Sequence, residues 1–336
     1  MRRAYLDSAP GERRGVVTLD GRPERLLIER EADAPQTRLG ARVAARVRAW
    51  EKGLRIGFLD LGGDAEAVVS GGTPLVEGAP VVVEITAEAR VGKVAVARVL
   101  GPADGAAPRL LQPAPSIEAR LTAWAGETPR TGLQAEAAAD EAEAEAEATE
   151  HPLPGGGWLY VERTRALTAV DVDAGSGTGG GGRGLAGLNR RAVDAAARLL
   201  RLKGLGGLVV VDLAGGQAEE ALLAHARAAF APDNPGVVFG PLSRLGLLQL
   251  AKPWRETPVE ERLRDAAGRP RPETAAARLI RTLRREGRSD PGGLWEAVCA
   301  PEVAAVAAPR AAALGPRYAV RAALGADPER PEIRRR

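Results

Sequence analysis

Cysteine is almost missing from this chain of 336 residues: Cys299 stands alone. No intramolecular disulfide and no two-cysteine zinc set can form from it. Histidine occurs twice, as His151 and His225, which argues against a histidine-rich metal site or a serine-protease triad. Carboxylates are left as the main candidates for chemistry. Aromatic residues are only 3% of the chain, and Ala, 41 Gly and 25 Pro fill their place. No apolar run approaches the ~18 residues of a membrane-spanning helix, so no membrane partner is expected. The basic start MRRAYLDSAPGERRG is followed by no apolar stretch of signal-peptide kind, and the expected compartment is the cytoplasm. What is present is enough for a real core: 45% of the residues are hydrophobic, which excludes global disorder. The length suits two or three compact domains.

Charge is informative by its distribution. The formal net charge is +3, yet residues 118–150 carry 2 basic against 9 acidic side chains. Residues 1–110 are close to balance, so the excess of Lys and Arg falls in 151–336. A basic C-terminal half behind an acidic stretch points to an anionic partner, nucleic acid before membrane. An Arg-rich solvated surface accounts for the charge equally well.

Short apolar runs at 41–49, 54–61, 65–69, 81–86 and 93–99, with turn signals such as Gly62-Gly63-Asp64 between them, predict about five strands. Five short strands in that length fit a small Greek-key barrel of the oligonucleotide-binding type. The chain therefore divides into N-terminal strands (1–37), a barrel (38–100), a Pro/Ala-rich and acidic linker (101–154) and an α/β region (155–336). From Glu141 to Glu147 a Glu falls at every second position, which puts charge all round a helix and predicts a solvated linker without an apolar stripe. From Trp158 the pattern becomes strand, turn, strand, then a glycine-rich loop at 175–187 and a helix over 189–203. LVVVDL at 208–213 reads as a buried parallel strand. A helix over 218–230 and a strand over 236–239 complete a βαβαβ pattern, hence a largely parallel sheet.

Asp171 and Asp173 are two apart at a strand end and leave the same face; Asp212 ends the next strand. In a right-handed βαβ unit both carboxyl ends point the same way, into the crevice where ligands bind. Converging carboxylates demand a proton or a cation, and Mg²⁺ answers with oxygen ligands and a bridge to phosphate. Metal-dependent phosphodiester hydrolysis is the chemistry suggested; unrelated surface carboxylates are the plain alternative. Gly175, Gly177 and Gly180 also satisfy G-x-G-x-x-G. Two aspartates just before the glycines repel a pyrophosphate, and the expected helix begins late for a tight phosphate turn. An NAD- or ATP-binding enzyme is thus the weakest reading. For phosphate contacts, the Arg and Lys around 189–203 form a basic cluster with Arg244 and Lys252, and Lys203 and Arg244 are the foremost candidates.

The stretches GGGWLYVERTRALTAVDVDAG, LNRRAVDAAARLLRLKGLGGLVVVDL and LSRLGLLQLAK, spread over 155–252, resemble in order and spacing the catalytic region of the ribonuclease E/G endoribonucleases. Residues 38–100, with GFLDLGG and EARVGKVAVARV, are similar to that family's S1 RNA-binding domain. The resemblance implies an α/β catalytic region with RNase H-like and DNase I-like parts and an inserted S1/OB-type barrel. It implies Mg²⁺ on Asp171 and Asp212, single-stranded RNA as partner, and products with a 5′-phosphate and a 3′-hydroxyl. Asp173 stands where many members have Asn. Phe58 matches an aromatic that stacks on a base and Lys93 a basic residue near the RNA, while a second stacking aromatic would fall near Val68. The family's Cys-x-x-Cys is absent, so no zinc-linked dimer is expected. Arg130-Thr131 is similar to part of the family's 5′-monophosphate sensor, with no complete sensor pocket expected. The competing reading is a catalytically weak or inactive RNA-binding paralogue of the same fold.

Overall fold

The computed structural model describes residues 1–105, 107–175, 182–215 and 220–336. The chain opens as an antiparallel meander of β1 (Arg2–Ala9), β2 (Glu12–Leu19) and β3 (Arg22–Arg30). Asp20 and Gly21 join β2 to β3 with φ of 50° and 82°. Two positive values let a two-residue turn follow the strand twist, and Asp-Gly tolerates them.

A barrel follows: β4 (Arg42–Glu51), β5 (Ile56–Gly62), β6 (Ala65–Ser70), β7 (Pro80–Ala87) and β8 (Ala95–Pro102). They are ordered β5-β6-β8-β7-β4, and β4 pairs back onto β5 to close five strands. The β6–β8 pair is parallel and its neighbours antiparallel, an OB-like closure that matches the expected barrel. β5, β6 and β7 alternate; β7 hides Val81, Val83, Ile85 and Ala87 and turns the residues between them outward. The interior is Ala and Val around Leu59, Leu61 and Ile85, so a chain poor in aromatics still fills it. A short strand, β9 (Arg109–Gln112), extends the edge of β4.

Next come α1 (Ile117–Ala125), capped by the Ser116 hydroxyl, and α2 (Leu133–Glu147). The solvated linker expected over 101–154 is corrected by α2, an ordered helix packed into the main core. Its apolar stripe is made of alanine: Ala135, Ala139, Ala142 and Ala146, spaced four, three and four apart, are all buried. The carboxylates fall beside the stripe and find arginines. Glu136, Asp140, Glu143 and Glu147 face Arg278, Arg281, Arg285 and Arg288 of α6 (Pro272–Ser289). Glu145 turns the other way, to Arg198.

The main sheet has six strands: β10 (Glu150–Pro152), β11 (Trp158–Arg163), β12 (Thr168–Asp173), β13 (Gly207–Asp212), β14 (Val238–Phe239) and β15 (Leu247–Lys252). Their order is β10-β11-β12-β13-β15-β14. The largely parallel sheet expected is corrected to a mixed one, in which β12 and β13 are the one parallel pair. Only one crossover helix returns the chain to an adjacent strand. β15 inserts as a hairpin between β13 and β14 and so runs against both. The helix α3 (Gly182–Leu202) makes the crossover, starting seven residues before the expected 189, and α4 (Glu220–Ala229) follows β13. Gly177 and Gly180 of the glycine motif lie outside the described residues; the late helix start counted against that motif does not hold.

One face of the sheet is packed by α3, on which α2 and β3 pack in turn, with Leu159, Val161, Val170, Val172, Val209 and Val211 in the core. A third layer ends the chain: α5 (Val259–Leu263), α6, β16 (Trp295–Cys299), α7 (Pro301–Leu314), β17 (Tyr318–Ala322) and β18 (Glu332–Arg335). Cys299 is fully buried there. No helix among the described residues is long and apolar enough to cross a membrane.

Candidate active site

The carboxylates stand on the sheet face that no helix covers among the described residues. Along β12, Thr168, Val170 and Val172 point into the core, so alternation sends Asp171 and Asp173 outward, and both are exposed. Along β13 the same alternation buries Val209 and Val211 and exposes Asp212. The parallel register pairs Asp171 with Asp212. Adjacent strands lie about 4.8 Å apart, which makes these two carboxylates immediate neighbours. Residues in register share a face, so Glu150, Tyr160, Asp171, Asp212 and Leu247 form one row across five strands. Partial desolvation, then the carboxylates of Glu150, Asp173 and Asp171, push the Tyr160 phenol above its ordinary range. The row is therefore electrically negative where a phosphate would have to approach.

Local geometry holds these strand ends in place. Asp173 Oδ1 accepts the Gly175 N–H at 2.8 Å, which commits one of its oxygens to the turn. Gly157, with φ of 90°, lets the 153–157 turn close on this end; a Cβ there would meet the Asp173 carbonyl at 2.8 Å and Leu188 at 2.9 Å. On the other strand, buried Asn189 of α3 accepts the Ala214 N–H and donates to the Ala214 carbonyl, both at 3.0 Å. That two-way amide clamp fixes the backbone two residues beyond Asp212.

Among the described residues, no group of three or more His, Cys, Asp or Glu side chains is arranged to hold a metal. The paired donors fit a hard cation nonetheless, since Mg²⁺ is commonly bound through one or two carboxylates together with substrate phosphates. Both donors are exposed strand-end carboxylates on one face, as such a shared site requires.

The basic candidates divide sharply. Arg244 is exposed in the turn that leads to Leu247, the residue opposite Asp212, so it belongs to the carboxylate end. Lys203 does not, and its expected RNA contact is corrected. It is buried, and its ammonium donates to the carbonyls of Ala146, at 2.8 Å, and Ala148 at the end of α2. Burial pulls its pKa down to about 8. It precedes β13 at the end opposite Asp212, about 17 Å away along the strand. Lys252 faces Gly207 at that same end, donating to the Leu205 carbonyl at 3.0 Å. Arg198 and Arg201 of α3 are likewise buried on carboxylates, so the basic cluster on that helix is mostly internal.

On the barrel, Phe58 is 45% exposed and points away from the interior. Val68 is its cross-strand partner, the spot expected for a second stacking aromatic. Lys93 is exposed in the turn that enters β8. Arg130 lies beside β1, its N–H on the Ala4 carbonyl at 2.9 Å. Two residues escaped the sequence reading. Asn189 marked only a helix start there, and Trp158 only a strand. Trp158 is 42% exposed and is the register partner of Asp173.

No curated protein matches the chain. A family model described as the ribonuclease E/G family matches residues 109–255, the stretch that holds β10 to β15 and all three aspartates. Over that stretch the chain is similar to the ribonuclease E/G family.

Proposed function

We propose that this protein is a Mg²⁺-dependent endoribonuclease that hydrolyses phosphodiester bonds in single-stranded RNA, for RNA processing or decay. The observation that carries the reading is the register of Asp171 with Asp212 on an open sheet face, within the stretch that is similar to a ribonuclease family. Asp171 and Asp212 would hold the ion, with the free oxygen of Asp173 beside them. A bound Mg²⁺ polarises a phosphoryl oxygen and lowers the pKa of a water it holds.

The protein's own groups then do three things. The carboxylate row repels a phosphodiester, so RNA reaches it as part of a larger contact that outweighs this repulsion. Arg244 supplies a guanidinium at the same end for a neighbouring phosphate. Phe58 and Lys93 on the barrel, and Trp158 beside Asp173, take bases and backbone of an unpaired strand; stacking on such rings needs bases that are not held in a duplex.

The test uses purified protein, a labelled unstructured RNA, and parallel reactions with Mg²⁺ or EDTA. Cleavage is expected with Mg²⁺ alone, leaving a 5′-phosphate and a 3′-hydroxyl. Asp171→Asn and Asp212→Asn are each expected to slow it on the order of 10²-fold or more while RNA binding in EDTA is kept. If both variants cut like the parent, the site is elsewhere. If the parent binds RNA and never cuts it, the protein is an RNA-binding paralogue without turnover.

A further inference from the structure

The turn that enters β8 carries Lys93, and it is held from outside the barrel. Glu88, directly after β7, is only 5% exposed. Its carboxylate accepts the N–H groups of Leu39 at 3.2 Å and Thr257 at 3.1 Å, and it pairs with Arg38 and Arg262, each at 3.4 Å. Its own N–H donates to the Arg255 carbonyl at 2.7 Å. Arg38 and Leu39 lead into β4, whereas Arg255, Thr257 and Arg262 follow β15 in the α/β body. One side chain thus joins the two parts. The rest of the turn docks beside it. The Thr257 hydroxyl donates to the Ala89 carbonyl at 2.7 Å, and the Val91 N–H to Glu261 of α5 at 2.6 Å. The Arg90 guanidinium lies 4.4 Å from the centre of the Trp254 ring, and Arg163, which ends β11, lies 5.3 Å from it.

A carboxylate stripped of water is tolerated only when donors fill its lone pairs, and here both oxygens are engaged. Burial favours the neutral form, but Arg38 and Arg262 outweigh it and hold the carboxyl below the usual carboxylate range. Arg90 and Lys93 exchange both backbone hydrogen bonds, at 3.0 and 2.8 Å. Holding Arg90 therefore holds Lys93, whose side chain stays exposed. Trp254 packs on Gly207, the first residue of β13. The turn is thus anchored at the end of the main sheet away from Asp212, about 17 Å along the strand.

We infer that Glu88 is a positioning residue: it fixes the 88–93 turn on the α/β body and so sets where Lys93 meets RNA relative to the aspartate pair, without touching RNA itself. The inference rests on the RNA-binding role given to Lys93 above. A strand that contacts both places is bound twice, and the second contact forms at an effective concentration set by the joint between them. A stiff joint is already ordered before RNA arrives, so loosening it weakens binding while the groups that meet RNA stay the same.

The experiment measures the affinity of the full chain for a labelled unstructured RNA in EDTA, by fluorescence anisotropy. It compares the parent, Glu88→Gln, Lys93→Ala and the double variant. Glu88→Gln removes a negative charge, which by electrostatics alone would strengthen RNA binding. It is expected instead to weaken binding on the order of three- to tenfold, and the double variant is expected to bind as Lys93→Ala alone does. Thr257→Val drops the hydroxyl contact to Ala89 and keeps the carboxylate, so it serves if Glu88→Gln does not fold; urea unfolding checks each variant. It too should weaken binding, and should be silent in the Lys93→Ala background. With Mg²⁺, both variants should raise KM for cleavage by the same factor and leave kcat unchanged. Unchanged or tighter binding by the folded variants overturns the inference, as do effects that add to that of Lys93→Ala, a Lys93→Ala protein that binds like the parent, or a fall in kcat with KM kept. A parent that binds RNA and never cuts it ends the nuclease reading alone, since the affinity cycle still decides this one. A parent that binds no RNA overturns both.

Discussion

Among the five Trp, three Tyr and three Phe, Phe58 and Trp158 are the two exposed ones. Burying an aromatic ring recovers more apolar area than any other side chain can, so leaving two in water costs stability unless something else covers them. One stands on the barrel and the other beside Asp173, and both suit a base of single-stranded RNA. Phe58→Ala and Trp158→Ala are each expected to weaken binding of an unstructured RNA by about 1–3 kcal/mol, read by fluorescence anisotropy in EDTA with folding checked by circular dichroism. An unchanged affinity for either variant removes that ring from the RNA path. Phe58 was open to detection because strand alternation around Leu59 and Leu61 sends it outward. Trp158 was not, since its importance depends on which residue of β12 it faces, and that register is a property of the hairpin. Asn189 was hidden for a related reason: the backbone group it clamps lies 25 residues away in the chain.

At the scale of elements, α2 shows what a sequence pattern alone can hide. Alternating Glu and Ala look like a solvated segment because alanine carries little hydrophobic weight. Alanine nonetheless permits close helix packing, and four of them at heptad-like spacing were enough for a core-facing stripe. The acidic side chains find arginines more than 130 residues later, on α6, a pairing that no local window contains. The barrel, by contrast, was legible because its strands are local, alternating and bounded by turns. The aspartate pair was legible as well, because a single βαβ unit fixes it. The mixed order of the main sheet was not, since nothing in 236–252 marks β15 as a hairpin strand rather than a crossover strand. The α2–α6 contact makes a prediction of its own. Glu143 is buried against Arg14, Arg278 and Arg281. Glu143→Gln leaves those guanidinium groups short of a countercharge and is expected to cost about 3–5 kcal/mol in urea unfolding. Glu141→Gln, on the exposed side of the same helix, is expected to stay within about 0.5 kcal/mol. Equal effects at the two positions would mean the ion pairs contribute nothing specific.

Over the whole molecule, the same ion network joins the two ends of the chain. Arg14 of the first meander meets Asp7, Asp140 and Glu143, and Arg281 bridges Glu143 to Glu12. Residues from the start, the middle and the last third thus share one buried set of charges, whose protonation is coupled to the fold. Arg281 and Arg14 stand close to Glu143 and hold its carboxyl below the usual range despite burial; Arg284 and Arg14 do the same for Asp7. Such carboxylates stabilise the fold above their unfolded values near pH 4, and that contribution is lost as pH falls through the lower folded values. His151 acts earlier. Burial, and then the Lys203 ammonium, lower its pKa from 6.5 to about 4, so the fold keeps it neutral where the unfolded chain would take up a proton. Its contribution is complete above pH 6.5 and declines as pH falls from there towards 4, by an amount on the order of 2–3 kcal/mol. Acid unfolding should therefore show two regions, a gradual loss between pH 6.5 and 4 and a steeper one below it. In His151→Leu the first region should flatten while the second remains, as read from urea midpoints at pH 7, 5.5, 4.5 and 3.5. A variant that keeps the slope between pH 6.5 and 4 would show that another group takes up the proton.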